Sequence, residues 1–256
     1  IKEIEVVYNA SPKADPDKRT AADSYMAFVR AHTSANKSDI AVNIAAVYYY
    51  ELSDSKKMME TRQFLIDNYP KSKKYTENVA RLGFAYDSIA KFEIASDWYE
   101  KLFTIDKDYT EKVGEEEVPV TRNAMHRASI FRERLGQYDK AIENKEKYMA
   151  AYPDDERNLG YRFDIAGILE KKGDLAAASK AYYAYFTKED SASEYSKFLA
   201  RYKYGELTKK LNKDVLKHWN NTLKAYEKMD EETKNSLTPA QLKAIRQIIE
   251  EVKYIN

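Results

Sequence analysis

The chain of 256 residues contains no cysteine, which excludes disulfides and thiolate metal sites. Glycine (7) and proline (6) are scarce. A β-rich chain of this length would need many more turn residues, so the scarcity favours long helices with short connections. The glycines are isolated, so no phosphate-cradling loop is formed. Histidine is rare: His32, His126 and His218 lie far apart, without metal-ligand spacing. A linear array does not readily bring such lone residues into a catalytic triad. No run approaches the roughly 18 apolar residues of a membrane span. No charge sign dominates, since 43 Lys and Arg face 42 Asp and Glu, a net charge of +1. Bulk attraction to nucleic acid or an anionic membrane is therefore absent. The expectation is a non-catalytic protein with no cofactor, no metal, no nucleic-acid partner and no membrane insertion.

What is present is a repeated helical pattern. Hydrophobic residues make up 43% of the chain, enough for a continuous core, and tyrosine is abundant (22). Three segments align: from Val79 (VARLGFAYDSIAKFEIASDWYEKLFTID), from Met125 (MHRASIFRERLGQYDKAIENKEKYMAAYP) and from Arg162 (RFDIAGILEKKGDLAAASKAYYAYF). Each reads as an amphipathic helix, a short break and a second amphipathic helix. After the break comes Phe92, Tyr138 or Leu175, and three residues later Ala95, Ala141 or Ala178. Extended in both directions, this position falls on Ala21, Met58, Ala95, Ala141, Ala178 and Val215. Four of its five intervals are 37 residues, and the fifth, from Ala95 to Ala141, is 46. The stretch Lys107–Val120 is acidic, carries Gly114 and Pro119, lacks helical periodicity and reads as an inserted loop.

The pattern resembles the tetratricopeptide repeat family. Leu82-Gly83, Tyr86, Phe92, Ala95 and Tyr99 carry the likeness most fully, and Gly136, Tyr138, Ala141 and Pro153, then Gly173, Ala178 and Tyr182, carry it further along. Leu102 stands where the family has alanine, and Ala128-Ser129 replaces Leu-Gly. The resemblance implies an all-α, right-handed superhelix of five to six helix pairs, formed as one domain. The repeats fall at about 1–36 (degenerate), 37–73, 74–106, 120–156, 157–192 and 193–230, with the insertion at 107–120. Ile4–Asn9 would be the remnant of a first helix, with Asp17–Ala31 as its partner, and Glu194–Leu211 would pair with Asp214–Lys228. A capping helix over 238–255 is signalled by Thr238-Pro239, with Thr238 as N-cap.

In this family the first helices line a concave groove. Carried onto this chain, the resemblance implies groove positions at Asn43, Val47 and Tyr50, with Ile44 beside them. Arg81 and Phe84 follow, flanked by Glu77 and Ser88, then His126, Arg127 and Ile130, then Phe163, and finally Arg201 and Tyr204. Arg81, Arg127 and Arg201 share one repeat position and could form a positive stripe suited to carboxylates. Val47, Phe84, Ile130 and Phe163 would supply apolar anchors between them. Against that stands local pairing of each arginine with Glu77, Glu133 or Asp164, and packing of each aromatic on the next repeat. The family's chaperone-binding set of Lys, Asn, Asn, Lys and Arg is not reproduced, which argues against chaperone C-termini as ligands.

The function implied is a scaffold that binds a protein or peptide, acidic if the arginine stripe forms. Two other functions fit the same residues: a spacer or oligomerisation module of a bacterial envelope or motility assembly, and a helical accessory domain of a larger enzyme. The chain opens at Ile1 with no signal peptide and reads as a piece of a longer bacterial multi-repeat protein. No compartment is set by these residues, with the periplasm or envelope favoured slightly over the cytoplasm.

Overall fold

A computed structural model describes residues 15–211 and 215–255. The expected remnant at Ile4–Asn9 and the start of the helix expected from Asp214 lie outside them. The described residues form thirteen helices and one small hairpin. They divide into two compact units, residues 1–144 and 145–256.

Unit 1 contains α1 (Asp15–Ala31), α2 (Ser38–Glu51), α3 (Ser55–Asn68), α4 (Tyr75–Ser88), α5 (Phe92–Ile105), β1 (Glu111–Val113), β2 (Glu116–Val118), α6 (Val120–Arg134) and the first half of α7 (Tyr138–Ala151). From α1 to α6 each helix packs on the next. The links within α2–α3 and α4–α5 are three residues long, so the chain must double back at once. Asp54 caps α3 by accepting from the Lys57 N–H at 3.2 Å. The core of this unit is built from alanines alternating with larger residues. Ala22, Val29, Ala41, Val42, Ala45 and Leu65 form one cluster, and Val79, Leu82, Ala95, Tyr99, Leu102, Ala124 and Ala128 another. Each fully buried Val or Leu stabilises the fold by roughly 1.5–3 kcal/mol.

Unit 2 holds the rest of α7, then α8 (Arg157–Lys172), α9 (Leu175–Lys188), α10 (Glu194–Lys210), α11 (Leu216–Glu227), α12 (Glu231–Asn235) and α13 (Pro239–Ile255). Asp174 and Ser193 cap α9 and α10 through their side chains. The short helix α12 has no counterpart in the sequence reading. The closing helix α13 forms where Thr238-Pro239 placed it. Thr238 and Gln241 bond reciprocally: the Thr238 N–H donates to Gln241 Oε1 at 2.6 Å, and the Gln241 N–H donates to Thr238 Oγ1 at 3.4 Å. This is a capping box, which satisfies the first free N–H groups of the helix.

The register appears directly in the helices. α3, α5, α7 and α9 are all 14 residues long, and Met58, Ala95, Ala141 and Ala178 are each the fourth residue. All six register positions, from Ala21 to Val215, are buried. Val215 departs from the others, standing just before α11 rather than inside it. The inserted segment is not an unstructured loop. Its strands pair antiparallel, Glu111 with Val118 and Val113 with Glu116, around Gly114 at φ 66°. A glycine at the first turn position supplies the left-handed backbone that a two-residue hairpin requires.

Candidate functional site

Between α2, α3 and α4 of unit 1 lies an open cleft of about 500 Å³. Its lining includes Val47 and Tyr50 from α2, Met58 and Arg62 from α3, and Glu77, Arg81, Phe84 and Ser88 from α4. Four expected groove residues, Val47, Tyr50, Arg81 and Phe84, therefore meet at one site. Tyr50 is 67% exposed and stands at the rim. Phe84 is half-buried and sets its ring edge-on to Tyr99, with centroids 5.6 Å apart.

The charges of the cleft are unevenly paired. Arg81 reaches the hairpin and meets Glu111 at 2.5 Å, where the Tyr109 hydroxyl also donates to Glu111 at 2.8 Å. Glu77 is held by Lys74 at 2.9 Å. Arg62, 4% exposed, donates from Nη1 to Asn78 Oδ1 at 2.8 Å and from Nε to the Met58 sulfur at 3.2 Å. Among the described residues it has no carboxylate partner. Burial, with the Arg81 charge adding to it, lowers the Arg62 pKa to about 10, while Glu77 and Glu111 oppose that shift from a distance. The group thus remains a cation at neutral pH.

Two other buried cations are treated differently. Arg132 in unit 1 is fully buried and binds Asp97 at 2.5 Å and Glu100 at 2.7 Å. Burial works against its charge, but these carboxylates outweigh it and raise the pKa. Lys145 in unit 2 meets Asp164 at 3.0 Å and lies 4.6 Å from the centre of the Tyr161 ring.

Several expected groove residues are placed elsewhere. Asn43 is buried and accepts from Asn78 Nδ2 at 2.7 Å, because Arg62 and Asn78 draw it into an internal polar chain. Phe163 packs inside unit 2 against Tyr182 and Tyr185, with centroids 5.4 and 5.3 Å apart. Arg127 is paired with Asp87 at 2.5 Å, and Ile130 and His126 are half-buried on the same helix. Arg201 lies 5.2 Å from the centre of the Phe186 ring, and Tyr204 packs on Phe186 and His218. The arginines are locally engaged, but Arg81 and Arg127 take Glu111 and Asp87 rather than Glu77 and Glu133. Arg62 was missed, although its signal was legible. Four residues after each register position come Tyr25, Arg62, Tyr99, Lys145, Tyr182 and Trp219, so a cation interrupts a row of buried aromatics. Gly205 was also missed: a Cβ there would stand 2.1 Å from the Trp219 ring.

No metal-binding group of three or more His, Asp or Glu side chains occurs among the described residues, and no described helix is long and apolar enough to cross a membrane. No protein-family model and no curated protein matches the chain. Solved structures similar to it include a tetratricopeptide repeat protein from Parabacteroides merdae, 13% identical over 99% of this chain and 86% of that one, with a TM-score of 0.43. The MamA protein is 14% identical over 80% of this chain and 98% of its own, with a TM-score of 0.43. BtubC from P. vanneervenii is 10% identical over 88% and 92%, with a TM-score of 0.41. The successive helix hairpins, four of them with second helices of 14 residues, and the small residues where helices meet give the described residues an all-α helical-repeat fold of tetratricopeptide-like architecture.

Proposed function

We propose that this protein is a non-catalytic scaffold that binds a peptide segment of a partner protein in the cleft between α2, α3 and α4. The observation that carries this reading is the lining itself. Val47, Tyr50 and Phe84 offer apolar and aromatic surface beside Arg62 and Arg81, in a recess large enough for a few side chains. Concave sites with apolar walls and a small number of placed polar groups are where ligands bind. Aromatic and arginine side chains supply most of the energy of such contacts. The walls come from helices, which hold the site open before a partner arrives and so lower the entropy lost on binding.

The test is a peptide array probed with the full chain and with Tyr50→Ala. Tyr50 is mostly solvated, so its truncation should leave the melting temperature unchanged, within about 0.5 kcal/mol of stability. Selected peptides should lose about tenfold or more in affinity, as expected on removing an aromatic anchor. Equal affinities for both proteins across all selected peptides would place binding elsewhere.

A further inference from the structure

The row of side chains four residues beyond each register position is the key. Four of its six members, Tyr25, Tyr99, Tyr182 and Trp219, are buried rings. The two cations, Arg62 and Lys145, are buried as deeply. Lys145 has its counterion in the next helix at Asp164. The corresponding residue in the next helix after Arg62 is Arg81, since the 46- and 37-residue intervals carry Arg81 through Arg127 to Asp164. A cation therefore stands where the other repeat places an anion. Arg81 is neutralised by Glu111, and Glu77 by Lys74, which leaves the positive charge of Arg62 uncompensated.

A buried charge without a counterion is unfavourable, and an aromatic ring at this position would pack without that penalty. Although only 4% exposed, Arg62 is one of the residues that line the cleft, so a ligand seated there would lie against it. We infer that Arg62 is an anion seat, and that the occupant of the cleft is a peptide segment whose acidic side chain supplies the missing counterion to the Arg62 guanidinium. This rests on the cleft being the peptide site. The charge balance calls for one carboxylate, and the walls of Val47, Tyr50 and Phe84 call for apolar neighbours on either side of it. An acidic side chain fits better than a chain end. A glutamyl arm can reach the floor while its backbone stays at the solvated rim, whereas a terminal carboxylate would carry its own amide N–H into the recess.

The test uses the full chain and three short probes: acetyl-Leu-Glu-Phe-amide, acetyl-Leu-Gln-Phe-amide, and acetyl-Leu-Gln-Phe with a free C-terminal carboxylate. Binding is followed by the NMR shift of the Arg62 Nε–H and by titration calorimetry. The glutamyl probe should bind at least tenfold more tightly than the glutaminyl probe and move the Arg62 signal. Arg62→Gln, which can still donate to Asn78, should erase that preference. Arg62→Tyr, which restores the ring found in other repeats, should erase it too and raise the melting temperature. Equal binding of the glutamyl and glutaminyl probes, unchanged in Arg62→Gln, would overturn the anion seat while leaving the cleft as a peptide site. Preference for the free C-terminus would overturn the side-chain assignment. Absence of binding by all three would overturn both the seat and the proposed function.

Discussion

At the scale of single residues, close approach between helices is set by where a side chain is missing. A Cβ at Gly205 would lie 2.1 Å from the Trp219 ring, and one at Gly83 would lie 2.8 Å from the Tyr99 ring. Both contacts are tighter than packed atoms sustain, so neighbours must move. Gly160, also within a helix, has no atom within 4 Å of such a Cβ. Three alanine substitutions separate these cases. Gly205→Ala should destabilise by about 1–3 kcal/mol, as overpacking does, and Gly83→Ala by a smaller amount. Gly160→Ala should stabilise by about 0.5–1 kcal/mol, because alanine loses less backbone entropy in a helix. Chemical denaturation midpoints of the three variants measure the order. Gly83 was legible through its Leu-Gly context. Gly205, within Tyr204-Gly205, lacked that context and shows its role only when Trp219 is seen against it.

At the scale of elements, four turns between paired helices share a residue of positive φ. Ser53, Ala90, Gly136 and Gly173 all have positive φ, at 55°, 58°, 72° and 89°, and they recur at the intervals of the repeat. Two of the four are glycine, for which this conformation carries no steric penalty. Ala90 holds it against the contact between Cβ and the backbone, which costs roughly 1–2 kcal/mol. Ala90→Gly should therefore raise stability by about 0.5–1 kcal/mol after the larger unfolded-state entropy of glycine is subtracted. Thermal unfolding checks this, and an unchanged or lowered midpoint would mean that the turn is not strained. The helices were legible because their apolar period and small residues repeat over many turns. The hairpin was not, since Glu111–Val113 and Glu116–Val118 are three residues each and carry mostly charge. Only Gly114 marked it. Its consequence for the site is specific: it brings Glu111 to Arg81, a pairing that no repeat position could announce.

At the scale of the whole molecule, the two compact units are built by the same rule. A buried residue, alanine at four of the six register positions, sits in each second helix or at its start, and at Tyr25, Tyr99, Tyr182 and Trp219 a large ring four residues later is buried beside it. That pattern made the succession of helix pairs readable from spacing, and the resemblance it carries implied the architecture. The site was readable only in part. Val47, Tyr50, Arg81 and Phe84 do share one cleft, but Asn43 turned inward and Arg127 was taken by Asp87, because polar partners are chosen by tertiary distance. The departure from the rule at Arg62 places in the cleft a cation with no carboxylate partner among the described residues, beside the paired Arg81 and Glu77. Hydrogen–deuterium exchange of the full chain, with and without a glutamate-containing peptide selected from the array, tests this account most directly. Added protection should fall on Ser38–Glu51, Ser55–Asn68 and Tyr75–Ser88, the helices that wall the cleft, and should vanish in Arg62→Gln. Protection confined to other helices, or unchanged by that substitution, would contradict it.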